Sequence, residues 1–312
     1  MQSDRRRINA PPGGTAPPTF TPIPQATLQR ISRTRAPDQH RKIFLTTGVV
    51  PSASGSAYYE ISPAPLSPSA STTSRLLPSA SNLKITCSVH GPKPLPRNAA
   101  FNPNLLLTTH VKFASFANRR RRGPLRDAGE RDLGQHLETA LRGAVIAERW
   151  PKSCCEVVVT VLEGEEDTWW GEKGPEGTAT GTGRTGGEWG LMTVLAGCIT
   201  VASAALVDAG IDCVDLLTGG VAAVVRDGPD AHDARVVLDP CPAEHEVQAA
   251  AVVGYLQSRD EITAVWMKGD AGARTEVVLD QAVKAACMTR AVLAEAVRET
   301  AEAKVRALQE PE

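Results

Sequence analysis

A chain of 312 residues can bury a sizeable core, in one large domain or two small ones. Lys+Arg 34 against Asp+Glu 35 excludes a chain-wide attraction to nucleic acid and confines any basic partner surface to local patches. Aromatic residues make up only 4 %, so the core must be packed from alanine and branched aliphatic side chains.

Residues 1–34 are rich in Pro, Thr, Arg and Gln without an apolar period, and are expected to form a disordered tail. The folded domain is expected over 35–308. Phe44–Gly48 and Gly55–Ile61 read as two strands. A Ser/Pro/Ala-rich block, 62–82, lacks the apolar content to pack and reads as an inserted surface loop. Leu83–His90 resumes a strand that should end at Gly91-Pro92. Residues 105–115 alternate, with Leu105, Leu107, Thr109, Val111 and Phe113 on the inward face. Helical spacing of Leu133, Leu137, Leu141, Ala144 and Val145 predicts a helix over 129–148, followed by a strand over Glu156–Leu162.

A Gly/Thr/Glu/Trp-rich stretch, 163–189, reads as a second long inserted loop. Residues 191–211 are small and apolar with one charge, Asp208, and no face polar enough to meet water. They predict a helix buried nearly all round, capped by Gly210, and too short and Thr/Ser-containing to be read as a membrane span. Ile211–Leu217 and Val221–Arg226 are expected to form a hairpin around Thr218-Gly219-Gly220. Arg235–Leu238, Val247–Leu256 and Ile262–Met267 read as strands. One long helix, with Val278, Val283, Cys287, Leu293, Ala296 and Val297 inward, runs from Glu276 to about Leu308. Strands, helix, strand, helix, strands, helix is an α+β order, without regular βα alternation.

Cys87, Cys154, Cys155, Cys198, Cys213, Cys241 and Cys287 form no CxxC pair, and their odd number suits a reducing compartment. Cys198, Cys213 and Cys287 sit among apolar neighbours and read as small buried hydrophobes. The first residues hold no apolar run of the signal-peptide kind, so a soluble, intracellular protein is expected.

Gly181-Thr-Gly-Arg-Thr-Gly186 matches the dinucleotide fingerprint in letters only. The strand that should feed it ends some twenty residues earlier, so no cofactor is expected. Glu244-His245-Glu246 has no second His or Cys pair at ligand spacing; a solvated turn after Asp239-Pro240 is the simpler reading, and no metal is expected. Arg119, Arg120, Arg121, Arg122, Arg126 and Arg131 place six arginines in thirteen residues. That cluster is either a solvated loop or localisation signal, or an edge that contacts phosphates. Lys93 and Arg97 are expected to add to the same surface. Trp169-Trp170 could stack bases but more often such a pair packs on a neighbour.

Arg35-Ala-Pro-Asp38 with Arg41, Gly55-Ser-Ala-Tyr58, Cys87-Ser-Val-His-Gly-Pro-Lys93, Glu130-Arg131, Val157–Leu162 and Ala204–Ile211 follow one another in the order of the RNase PH family, which the chain resembles over about 35–305. The Ser88–Arg97 wording is nearest to ring subunits of the eukaryotic RNA exosome. The resemblance implies a βαβα domain assembled head to tail into a six-membered ring around an RNA channel. Its implied partners are other RNase PH-like ring subunits, cap subunits, RNA in the channel and an associated exoribonuclease. Nucleus, nucleolus and cytoplasm are the implied locations. Active members cleave RNA with phosphate, which they hold on a Gly-Thr-Arg or Gly-Ser-Arg turn opening the buried helix. Counting back from Ala204–Ile211 places Thr193-Val194-Leu195 there, with Leu195 where the arginine belongs. Active members also carry acidic residues after the strand that ends here at Asp239, with Glu244 and Glu246 as uncertain substitutes. The expected role is therefore a non-catalytic, RNA-guiding ring subunit, with no catalytic residues. An active phosphate-dependent 3′–5′ exoribonuclease, its missing charge supplied by Arg184, stays open as the alternative, as does a scaffold that never touches RNA.

Overall fold

The computed structural model describes residues 33, 35–62, 82–95, 101–118, 125, 127–165, 188–226, 234–242 and 244–309. The expected loops at 62–82 and 163–189 lie outside these residues except at their edges, as do Trp169, Trp170, Arg184 and nearly all of the expected tail.

Alternating burial builds a first sheet from β1 (Ile43–Thr47), β2 (Gly55–Ile61), β3 (Leu83–Pro94), β4 (Leu106–Phe113) and β5 (Ser153–Glu163), in the order β1-β2-β3-β5-β4. Only β4 and β5 run parallel, joined by α1 (Ala128–Arg142). A second sheet, ordered β7-β6-β8-β9, holds β6 (Leu217–Arg226), β7 (Ala234–Leu238), β8 (Glu246–Leu256) and β9 (Glu261–Gly269). Between the sheets lies α2 (Gly190–Asp208), packed on β2 and β3 on one side and on β6 and β8 on the other. Against the expectation, it is long and apolar enough to cross a membrane, but 89 % of its most apolar window is buried inside the fold. Gly210, at φ +72, ends it as expected. The long α3 (Thr275–Gln309) covers the outer face of the second sheet and reaches β1, where Thr47 donates to Thr300 at 2.7 Å.

Three expectations need correction. The strand at Leu83 does not stop at Gly91-Pro92; it runs to Pro94 through a register shift against β5. The helix predicted over 129–148 ends at Arg142 with Gly143 as its cap; a Cβ there would run into Thr263 of β9, and Ala144 and Val145 are buried outside the helix. The hairpin around Thr218-Gly219-Gly220 is absent: β6 runs straight through it. The two glycines make no turn; they permit close approach. A Cβ on Gly219 would collide with the backbone of Ala196 in α2, and one on Gly220 with the backbone of Ala282 in α3. Successive residues face opposite sides of a strand, so one helix is seated on each face of β6.

Gly219→Ala is therefore expected to lower stability by about 1–3 kcal/mol or more, because the collision is with backbone and not with a movable side chain. Urea unfolding checks this; a variant as stable as the parent would show that α2 can back away from β6.

Candidate functional site

Two features of the resemblance converge beside α2: the anion-binding turn and the acidic residues after β7. The helix starts at Gly190, so Thr193, Val194 and Leu195 lie inside it and not on an opening turn. Their amides are committed to the helical ladder, and an anion there would meet side chains instead of free N–H groups. Thr193 donates to the carbonyl of Pro240 at 3.5 Å. Leu195 is 2 % exposed and lines a cavity of about 10 Å³ with His136, Ile199, Val252, Ala264 and Trp266. That volume has room for about one water and none for phosphate. The His136 ring stacks on Trp266, with centroids 4.8 Å apart and planes at 20°.

The acidic half is filled from within the chain. Asp239 is fully buried at φ +48, where its carboxylate accepts from the Arg41 backbone at 2.9 Å, Arg41 Nε at 2.8 Å, Arg41 Nη2 at 2.7 Å and Arg35 Nη1 at 3.4 Å. Arg35 Nη2 reaches Glu244 at 2.9 Å, and Arg41 Nη2 reaches Glu165 at 3.0 Å. Arg33 donates to the carbonyls of Leu238 and Asp239 at 3.0 and 3.3 Å. Arginines 33, 35 and 41 thus face carboxylates 165, 239 and 244, three charges of each sign. Burial alone would raise the Asp239 carboxyl, but Arg41, His40 and Arg35 together hold it well below the usual carboxylate range. Burial dominates at Glu244 and pushes it upward despite Arg35. Burial also draws Arg33 down to about 10, with the Arg35 charge adding to the effect.

Glu244 and His245 are therefore not the solvated turn the sequence suggested: they are 5 % and 2 % exposed, and only Glu246 is exposed. Sequence reasoning missed the three N-terminal arginines as partners of these carboxylates. Among the described residues no group of His, Cys, Asp or Glu could hold a metal. The cysteines are free; Cys198 is buried as expected, while Cys213 and Cys287 are half-buried. Burial pushes the Cys155 thiol up to about 12, far from a reactive thiolate.

Of the basic residues picked out in sequence, Lys93 and Arg131 are described; Arg97, Arg119, Arg120, Arg121, Arg122 and Arg126 lie outside the described residues. Lys93 is exposed opposite Cys154, at the end of the sheet where β4 begins. Arg131 is exposed in the first turn of α1, at the other end. That turn is fixed by a capping box between Asp127 and Glu130, and Glu130 accepts from the Phe113 backbone at 2.9 Å. The seven steps along β4, at ~3.3 Å each, set its two ends roughly 23 Å apart, so Lys93 and Arg131 mark opposite ends of the sheet. Each end also exposes an aromatic ring that sequence reasoning passed over. Phe101 is 71 % exposed beneath Lys152, whose Nζ is 5.6 Å from the ring centre, and Phe116 is 76 % exposed beyond β4.

The chain belongs to the 3′ exoribonuclease (RNase PH) family, whose first domain matches residues 39–212. It is 46 % identical over 306 residues to the exosome complex component MTR3 of Chaetomium thermophilum, covering 96 % of this chain and 99 % of that protein. The corresponding component of Schizosaccharomyces pombe is 28 % identical over 93 % of this chain and 94 % of its own length. The crystal structure of rice Rrp46 shares the fold at a TM-score of 0.60 and 17 % identity, over 85 % of this chain and 98 % of that one. The expected α+β, RNase PH-like architecture is confirmed.

The shifted carboxylates set the acid response. Asp239 titrates below its unfolded value of about 3.9, so its contribution is complete above that pH and is lost as pH falls further. Glu244, shifted upward, opposes this where it is ionised. Asp239→Asn leaves Arg41 buried beside a neutral partner and is expected to cost about 3–5 kcal/mol at pH 7. Its stability should also fall less steeply below pH 4, as measured by denaturant unfolding between pH 3 and 7. An acid slope equal to the parent's would show that Asp239 does not set the acid response.

Proposed function

We propose that this chain is a non-catalytic structural and RNA-guiding subunit of an RNA exosome ring, supporting 3′–5′ RNA processing and degradation by an associated exoribonuclease. The observation that carries the reading is the end-to-end match to a protein named as an exosome complex component. Leu195 supports the absence of catalysis: an aliphatic side chain can neither hold nor orient a phosphate dianion, and removing such an interaction typically costs orders of magnitude in rate. The ion pairs on Asp239 and Glu244 support it too, since carboxylates bound to arginines are not free for acid–base work.

In this reading the subunit's partners are other RNase PH-like ring subunits, cap subunits and RNA in the channel. RNA is held by its phosphates, with little sequence preference, through Lys93, Arg97, Arg119, Arg120, Arg121, Arg122, Arg126 and Arg131. Because Lys93 and Arg131 mark opposite ends of the first sheet, two separate RNA-binding points are proposed instead of one patch. Nucleus and nucleolus, with a cytoplasmic share, are the proposed locations.

One preparation tests both halves. Labelled RNA incubated with the purified chain and inorganic phosphate should yield no nucleoside diphosphates, and their release would establish the active-enzyme alternative. RNA affinity should fall with salt, and replacing Arg119–Arg122 and Arg131 by Gln should reduce the log–log salt slope by about 0.7 for every phosphate no longer neutralised. An unchanged slope would mean that these arginines face away from RNA.

A further inference from the structure

The turn that opens β5 holds a residue in a conformation its side chain disfavours. Lys152 is exposed at φ +58, a backbone region that glycine or asparagine enters with little strain and a long side chain does not. Two backbone hydrogen bonds fix it there: its amide donates to the Asn102 carbonyl at 3.3 Å, and its carbonyl accepts from the Leu95 amide at 3.1 Å. The turn gains nothing from lysine. What lysine adds is an ammonium 5.6 Å from the centre of the Phe101 ring. Strained residues cluster at ligand clamps, where the strain serves to place a side chain. The segment that carries the ring is pinned as well. Asn102 accepts from the Asn104 amide through its side chain at 3.0 Å, and the Leu105 amide donates to the Ala147 carbonyl at 2.9 Å. Phe101 is nevertheless 71 % exposed, so the lysine covers only part of its surface. Lys93, also exposed, pairs with Cys154, two positions beyond Lys152 on the neighbouring strand. Arg149 is a third exposed cation at this end, held by Asp212 at 3.3 Å, with Glu148 beside it in sequence.

A presented aromatic face beside ammonium groups suits a ligand that is flat, aromatic and anionic at once. We propose that Phe101 and Lys152 clamp one nucleotide of single-stranded RNA, its base stacked on the open part of the ring and its phosphates met by Lys152 and Lys93. This rests on the RNA-guiding reading and deepens it. Phosphate contacts alone hold a duplex and a single strand alike, whereas a base reaches a side-chain ring only when it is unpaired and unstacked. Every base has a π-face, so the clamp tolerates any sequence. An apolar peptide segment would gain from the ring but nothing from the ammoniums; a polyanion gains from both.

The test is binding of the full chain to labelled oligouridylate, to an abasic strand of the same length and to a duplex, followed by fluorescence anisotropy across a salt series. Phe101→Ala should weaken binding of oligouridylate roughly 5- to 100-fold, with the abasic strand and the duplex little affected. Its salt slope should match the parent's, because the ring carries no charge. Phe101→Tyr should bind like the parent. Lys152→Asn removes the ammonium and relieves the strained turn; lower RNA affinity and a smaller salt slope should accompany a melting temperature equal to or above the parent's. A purely structural lysine would not produce that combination. Folded Phe101→Ala that binds oligouridylate like the parent would overturn the clamp and leave the RNA-guiding reading standing; if it also fails to co-purify with other ring subunits, Phe101 is a protein contact. Equal losses on base-bearing and abasic strands would overturn the stacking. A parent chain that binds no RNA would overturn both readings.

Discussion

The architecture depends on a clasp at β6, where Gly219 and Gly220 let two helices press on opposite faces of one strand. With the backbone of Ala196 on one side and that of Ala282 on the other, the second sheet becomes the middle of a layered stack. Because β6 draws α2 so close, α2 is enclosed by both sheets, and sixteen of its nineteen residues are buried. Position 195 inherits that enclosure. A cation at that position would need a buried partner, since an isolated charge there costs several kcal/mol. Leucine is what the packing accommodates, and the same packing shrinks the neighbouring void to about 10 Å³.

The acidic side is a buried network of ion pairs. Asp239, Glu244 and Glu165 are buried and paired; they anchor the segment that leads into β1. Arg33, Arg35 and Arg41 supply the counter-charges, and the Pro37 carbonyl accepts from the Leu238 amide at 2.8 Å. Buried pairs of this kind contribute little net stability but are strongly destabilising when one member is removed. Their effect is to fix where the N-terminal segment lies against the corner between β7 and β8. Packing at Leu195 and ion pairing at Asp239 together make this corner of the molecule a structural joint.

Much of this fold was legible in the sequence, because period and composition are local properties. β4 shows strict alternation, α2 has no polar face and α3 keeps an apolar stripe over many turns, so all three appear where expected. Gly219-Gly220 misled because a glycine pair serves a turn and a close helix approach equally well, and only the third dimension distinguishes them. Glu244 misled for a similar reason: its partner, Arg35, stands 209 residues away, and nothing near Glu244 announces it. Lys93 and Arg131 are both on the surface, as basic side chains should be, but their separation follows from the direction of β4, which residue types do not encode.

In the non-catalytic reading proposed here, the buried Leu195 and carboxylates already engaged by arginines close the position where an anion site would lie. Soaking crystals of the protein in inorganic phosphate and inspecting the first two turns of α2 tests this without intermediaries. No anion should be bound beside Leu195, and Asp239 should remain paired with Arg41. A phosphate held there by charged side chains would contradict it.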